Sequence, residues 1–295
     1  MKLGFIGLGI MGQPMVKNLL ANNFSVTVTD LNQQALTKAV QEGAVAASSP
    51  KEVAQLSDLI FTMLPNSEHV RTVVAGKKGI IEGASEGKIV VDMSSIDPTV
   101  SIELSSLLEP TGTDMLDAPV SGGEPKAIDG SLSVMAGGKP HVFEKVKPVL
   151  ACMAHNITLV GGHGAGSTAK LANQIIVNAN IAAVSEAATL AKKAGIDLHI
   201  LHEAIRGGLA GSAVLDAKLP LMAERNFKPG GRIDINAKDL RNVLAAGDQY
   251  ETPLPITNQV LSMFEELINE GKAGDDHSGL IQYYENKVAQ GGDSK

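Results

Sequence analysis

Between Ser167 and Ala194 the chain runs STAKLANQIIVNANIAAVSEAATLAKKA without a Pro or a Gly, and Leu171, Ile175, Ile176, Val177, Ile181, Val184 and Leu190 fall on almost every helical face. A helix that is apolar all round is a buried one. At about 1.5 Å per residue it would extend roughly 40 Å, so the pattern predicts an internal strut that passes from one structural unit into another. Lys170, Asn173, Gln174, Asn178, Ser185 and Glu186 interrupt the apolar run too often for a membrane span.

Lys170 is the conspicuous charge of this stretch. The pattern puts it in the first turn, where unpaired backbone N–H groups and the helix dipole disfavour a cation, with an apolar wall beyond it. Such a setting lowers an amine's pKa and makes it a proton donor near neutrality. Asn173 follows one turn on along the same face, where its amide can orient a shared ligand. A lysine snorkelling to the surface at a helix end is the plainer explanation.

The 295 residues are enough for two domains with cores of their own, and 44% hydrophobic with 19% charged residues is an ordinary globular composition. Lys and Arg number 25 against 32 Asp and Glu, a net charge of −7, with the basic residues scattered. Neither nucleic acid nor an anionic membrane is expected as a partner. Cys152, the single cysteine, cannot form an internal disulfide, which fits a reducing compartment. The glycines of MKLGFIGLG, with Gln13 and Pro14, argue against a signal peptide, and a cytoplasmic location is expected.

At the N-terminus, the apolar run Lys2 to Ile6 leads into Gly7, Leu8, Gly9, Ile10, Met11 and Gly12, a GxGxxG motif. A helical pattern from Gln13 to Asn22 and a second strand from Phe24 to Thr29, ending at Asp30, complete the unit that binds dinucleotides. The first glycine permits the tight turn, the second lets a pyrophosphate approach the backbone, and the third lets helix and strand pack closely. Asp30 suits a ribose diol and repels a 2′-phosphate, which favours NAD as cofactor, with NADP possible.

Strands and helices continue to alternate: strands over 44–47, 58–64, 88–93, 114–118, 131–136 and 156–160, helices over 50–56, 67–74, 98–108 and 141–153. Ligands gather beyond the carboxyl ends of parallel strands, which nominates Leu64, Pro65, Asn66 and Ser95 for the cofactor rim. Each of the four also reads as a plain turn or helix cap. Ser121, Gly122 and Gly123 offer a hydroxyl and exposed N–H groups, a nest suited to a carboxylate, or else an ordinary glycine turn at a strand end. Beyond Asp197 only helical patterns remain, at 198–206, 212–225, 235–249, 255–270 and 279–289, so the second domain is all α. There Lys238 beside Asp239 is expected to be a solvated pair.

The histidines are dispersed, HExxH, GxSxG and GxxxxGK[ST] are absent, and no metal site is expected. What remains is a nicotinamide cofactor and a lysine. Hydride transfer to a carbonyl leaves negative charge on its oxygen, and a lysine can neutralise that charge without a metal.

The motifs GFIGLGIMGQPM, DAPVSGGEPKAIDGSLSVMAGG, GAGSTAKLANQ and KDL, in this order over essentially the whole chain, resemble the β-hydroxyacid dehydrogenase family. The resemblance implies an α/β Rossmann-type domain over 1–163 and an all-α domain over 164–290. The interdomain helix 166–194 would join them, with a cleft between them and a loose tail at 291–295. It implies Lys170 as general acid/base, Asn173 as its substrate-orienting neighbour, and Ser121, Gly122 and Gly123 as the holders of a substrate carboxylate. Ser95 and Lys238 would flank the nicotinamide. EPKAIDG, RGGLAGSAVLDAK and DHSG are most similar to the branch that reduces tartronate semialdehyde, a small carboxylate semialdehyde, to glycerate; the 3-hydroxyisobutyrate branch is the alternative. A homodimer or homotetramer is implied as well. A function of a different class, a dinucleotide-binding sensor without chemistry, is opposed by the joint presence of Lys170, Asn173 and the Ser-Gly-Gly turn.

Overall fold

The computed structural model describes residues 1–292, and the chain divides into two compact units, Met1–Lys170 and Leu171–Lys295. Among the described residues no helix is long and apolar enough to cross a membrane.

The first unit alternates strands and helices: β1 (Leu3–Ile6), α1 (Gly12–Ala21), β2 (Val26–Thr29), α2 (Gln33–Gln41), β3 (Val45–Ala46), α3 (Pro50–Leu56), β4 (Leu59–Thr62), α4 (Ser67–Ala75), β5 (Ile89–Asp92), α5 (Pro98–Leu108) and β6 (Asp114–Asp117). These strands lie parallel in the order β3-β2-β1-β4-β5-β6, the doubly wound arrangement expected for a dinucleotide-binding fold. The unit continues through β7 (Val120–Ser121), α6 (Gly123–Asp129), β8 (Leu132–Gly137), α7 (Pro140–Leu150) and β9 (Ala154–Gly161). Asp117 pairs with Gly137, Val120 with Val134 and Ser121 with Ser133, so β7 prolongs β6 along antiparallel β8 after Ala118 and Pro119. Both faces of the sheet are covered. Leu3, Phe5, Phe61 and Val91 belong to one apolar core and Ile6, Ile60 and Val90 to another, which is why the strands read as unbroken apolar runs.

The long helix α8 (Ala165–Lys193) contributes its first six residues to the first unit and the remainder to the second. The second unit adds α9 (Leu198–Ile205), α10 (Ala213–Glu224), α11 (Ile233–Gln249), α12 (Pro255–Asn269) and α13 (Ile281–Gly292) around a core that includes Ile181, Leu219, Leu240 and Phe264. Gly291 and Gly292 thus close α13 instead of opening a tail, and the rest of the expected tail lies outside the described residues.

The strut departs from its sequence reading in one respect. It is not buried all round: Ile176 is 63% and Leu190 73% exposed, while Gln174, Asn178 and Ser185 are buried. The polar residues recur about every four positions on one face, and that face is the inward one. Gln174 there donates to the Asp239 carboxylate on α11 (2.7 Å), and Asn178 donates back to the Gln174 carbonyl (2.9 Å). The amide N–H groups are thus partnered, which makes their burial tolerable, while Asn178 Oδ1 is buried without a hydrogen-bond partner.

Candidate active site

The turn between β1 and α1 has the form a dinucleotide phosphate requires. Gly7 sits at φ +100°, and a Cβ there would come within 2.3 Å of the Met63 carbonyl. A Cβ on Gly12 would lie 1.9 Å from the Gly7 carbonyl, so only glycine lets α1 start this close to the strand. A Cβ on Gly9 would meet nothing within 4 Å, which leaves open space against the backbone at the start of the helix, the geometry that suits a phosphate. Ile10 is exposed beside it, Leu8 is buried, and Met11 directly precedes the helix. Asp30, just past β2, accepts from the Leu8 N–H through Oδ2 (2.6 Å) and from the Asn32 N–H through Oδ1 (2.6 Å). The acidic residue and the glycine turn therefore form one piece.

A second network organises the next strand ends. Buried Asp92, at the end of β5, accepts through Oδ1 from the hydroxyls of Thr62 (2.7 Å) and Ser94 (2.6 Å), and Ser94 Oγ accepts from the Leu64 N–H (2.8 Å). Desolvation pushes the Asp92 carboxyl up to about 6, against the pull of these hydrogen bonds. Its Oδ2 is buried without a hydrogen-bond partner. Leu64 is thus held by its backbone, exposed Pro65 follows, and half-buried Ser95 succeeds Ser94. Asn66 caps α4, its Oδ1 accepting from the His69 N–H (3.0 Å). Of the two readings open for Asn66, the structural one accounts for its side-chain oxygen.

Ser121 ends β7, and Gly122 (φ +137°) and Gly123 (φ +68°) turn the chain directly into α6, whose start carries no side-chain cap. The left-handed backbone explains both glycines: a Cβ on Gly122 would lie 2.7 Å from the Lys126 side chain.

Lys170 is only 8% exposed, so it does not snorkel to the surface. It is the sixth residue of α8, in the second turn and not the first, because the helix already begins at Ala165. Nor are the amides at the helix start unpaired. Buried Asp117 accepts from the Gly164 N–H through Oδ1 (2.8 Å) and from the Ser167 N–H through Oδ2 (2.8 Å). Burial raises the Asp117 carboxyl and these N–H groups oppose the rise.

In the second unit, Asn173 donates to the Gln174 side chain (3.0 Å), Gln174 donates to Asp239, and Asp239 pairs with Lys238 (2.8 Å). The expected solvated pair is instead a partly buried one, with Asp239 4% exposed, because the strut's inward amide needs an acceptor there. Asn173 and Lys238 are thereby joined through Gln174 and Asp239, two residues the sequence reading did not select. Asp92, Ser94 and Asp117 are likewise new.

Comparison with known proteins agrees with this anatomy. Residues 2–162 match the model for the NAD-binding domain of 6-phosphogluconate dehydrogenase, and residues 164–284 match the NAD-binding domain of NADP-dependent 3-hydroxyisobutyrate dehydrogenase. The chain is 43% identical to 2-hydroxy-3-oxopropionate reductase of Escherichia coli over 285 residues, 97% of each chain. It is 36% identical to 2-(hydroxymethyl)glutarate dehydrogenase of Eubacterium barkeri, covering 96% of this chain and 95% of that one. Among solved structures, 3-hydroxyisobutyrate dehydrogenase of Mycobacterium tuberculosis superposes with a TM-score of 0.88 at 30% identity, covering 95% of this chain and 98% of that one. The chain therefore belongs to the β-hydroxyacid dehydrogenase family of the 3-hydroxyisobutyrate dehydrogenase type, and is an NAD(P)-dependent oxidoreductase.

Proposed function

We propose that this enzyme reduces tartronate semialdehyde to glycerate, reversibly, with Lys170 as the general acid/base. The observation that carries the choice of substrate is the 43% identity, over 97% of both chains, to a protein named for that reaction. Bound nicotinamide supplies the hydride that the aldehyde carbon accepts. The Lys170 ammonium gives its proton to the carbonyl oxygen as charge develops there, leaving a neutral amine that solvent reprotonates. Ser121, Gly122 and Gly123 offer one hydroxyl and backbone N–H groups to the substrate carboxylate. The family resemblance gives Asn173 the substrate and Ser95 and Lys238 the nicotinamide end.

The turn from Gly7 to Gly12 and Asp30 would hold the phosphates and the adenosine ribose, with Leu64, Pro65 and Asn66 on the rim. NAD is favoured over NADP: after Asp30 no basic residue follows before Lys38 to meet a 2′-phosphate. The test measures nicotinamide absorbance with tartronate semialdehyde and methylmalonate semialdehyde, each with NADH and with NADPH. At least about tenfold higher kcat/KM for tartronate semialdehyde with NADH is expected, since a site built to bind a hydroxyl rejects the methyl analogue. A preference for methylmalonate semialdehyde would make it a 3-hydroxyisobutyrate dehydrogenase, and no consumption of either would favour the non-catalytic sensor.

The reading includes self-association as a homodimer or homotetramer. Exposed Ile176 and Leu190 on α8 and Ile200 on α9 are costly to leave in water, and an open groove of about 810 Å³ runs past Ala183, Leu190 and Tyr284. Sedimentation should show a multiple of 30.7 kDa that Leu190→Glu shifts toward monomer; a monomeric wild type would refute this.

A further inference from the structure

We propose that Asp117 is a positioning residue for the Lys170 amine, an inference that rests on the reading of Lys170 as proton donor. An ordinary helix cap is a neighbour in sequence offering one oxygen to one amide. Here the acceptor comes from the end of β6, about 50 residues upstream, and spends one oxygen on Gly164 N–H and the other on Ser167 N–H, each at 2.8 Å. Two bonds to amides three residues apart fix both the axial position and the rotation of the helix start against the sheet.

The packing around this root admits no slack. A Cβ on Gly166 would fall 2.4 Å from the carbonyl oxygens of Asp117 and Met135, so the helix backbone presses on the strands at that point. A Cβ on Gly137, the strand partner of Asp117, would lie 2.6 Å from Asp117 Oδ1 and from Gly166 N. Ser167 Oγ and Ser101 Oγ, 3.0 Å apart and both buried, tie the same turn to α5. Only Thr168 and Ala169 separate this root from Lys170, about 4.5 Å along the axis, so a shift of the root passes undiminished to the lysine. The same sheet ladder carries Ser121, four residues beyond Asp117, opposite Ser133. The carboxylate therefore references the proton donor and the substrate turn to one strand. An asparagine could not replace it in full, because an amide offers one acceptor oxygen where two N–H groups must be met.

The test is Asp117→Asn, assayed well below its own melting temperature. The expected result is reduced-cofactor affinity within about threefold of wild type, with kcat down about 10- to 100-fold, the scale set by a misplacement near 1 Å. The solvent deuterium isotope effect on kcat should rise, because proton delivery becomes limiting. A lower melting temperature with unchanged kcat and isotope effect would reduce Asp117 to a structural role and overturn the proposal. Should this variant not fold, Asp117→Glu keeps the charge and both acceptor oxygens but displaces them by one methylene, shifting the same root more gently. The same isotope signature is then expected, and unchanged kcat would again refute the proposal. Lys170→Ala separates the two ideas: normal turnover there sinks the proton-donor reading, whereas loss of turnover there with an unaffected Asp117→Asn sinks only the positioning role.

Discussion

Lys170→Ala is expected to lower kcat by about 10³-fold while leaving reduced-cofactor affinity unchanged, the size of effect for removing a positioned general acid. Lys170 is 8% exposed, in the second turn of a helix whose start is tied to Asp117, so water cannot take its place with comparable orientation. Because removing a buried side chain leaves a hole, Lys170→Met is the companion variant: it keeps much of the stem and deletes only the charge. Both should be equally slow. Activity restored in the methionine variant would mean that packing, not proton transfer, was lost. Ser121→Ala is expected to act differently, raising KM for the acid substrate about tenfold with a smaller change in kcat, since its hydroxyl would bind the carboxylate alike in ground and transition states. Cofactor titration together with steady-state rates distinguishes the patterns, and a Lys170→Ala enzyme with normal turnover would overturn the mechanism.

Much of the fold could be read because its punctuation is local. α3 and α5 begin where the sequence reading placed them, at Pro50 and Pro98, with Ser49 and Asp97 as caps. α2 escaped that reading although Asn32 caps it, and so did α6, because only Ser121, Gly122 and Gly123 were assigned there and EPKAID behind them was left without an element. The GxGxxG turn was legible for the same local reason: its three glycines answer to a close carbonyl, an open space and a close strand. The long-range hydrogen-bond partners were not. Asp117 meets its amides about 50 residues downstream, and Gln174 meets Asp239 from 65 residues away, distances over which no periodicity speaks. A signal did exist. Aspartates set in the apolar runs IVVDM and DMLDAPV must find buried donors, since an unpaired carboxylate is costly inside a sheet. Lys170, Gln174, Asn178 and Ser185 also share one helical face, so the polar residues that argued against a membrane span were marking the inward side of α8.

In the second unit, Asp276→Ala is expected to cost about 3–5 kcal/mol of stability, the range for breaking a buried ion pair by removing one partner. Both Asp276 oxygens accept from the Lys218 ammonium (3.0 Å), and the carboxylate also accepts the N–H groups of Gly230, Gly231 and Ser278. Alanine would strand a largely buried cation and three amides at once. Denaturant unfolding measures the loss, and a change below about 1 kcal/mol would show that water replaces the carboxylate without difficulty. The adjoining His277 gives this corner a pH dependence. Burial first, then the Lys218 charge, holds its imidazole down to about 4 from 6.5, while the Asp276 charge pulls the other way. Below its ordinary value the unfolded chain takes up a proton that the folded chain refuses, so stability falls as pH drops from 6.5 toward 4, by on the order of 3 kcal/mol. Asp276, held down to about 2 by its positive neighbours and N–H donors despite the opposing effect of burial, keeps its contribution above 3.8 and loses it only as pH falls through about 2. The two losses are therefore separated in pH. In His277→Gln the step between 6.5 and 4 should vanish from the variant's own stability curve and therefore appear in the difference between the wild-type and variant curves, while the more acidic step remains in both. A constant difference across that window would mean that the folded imidazole accepts its proton as readily as the unfolded one.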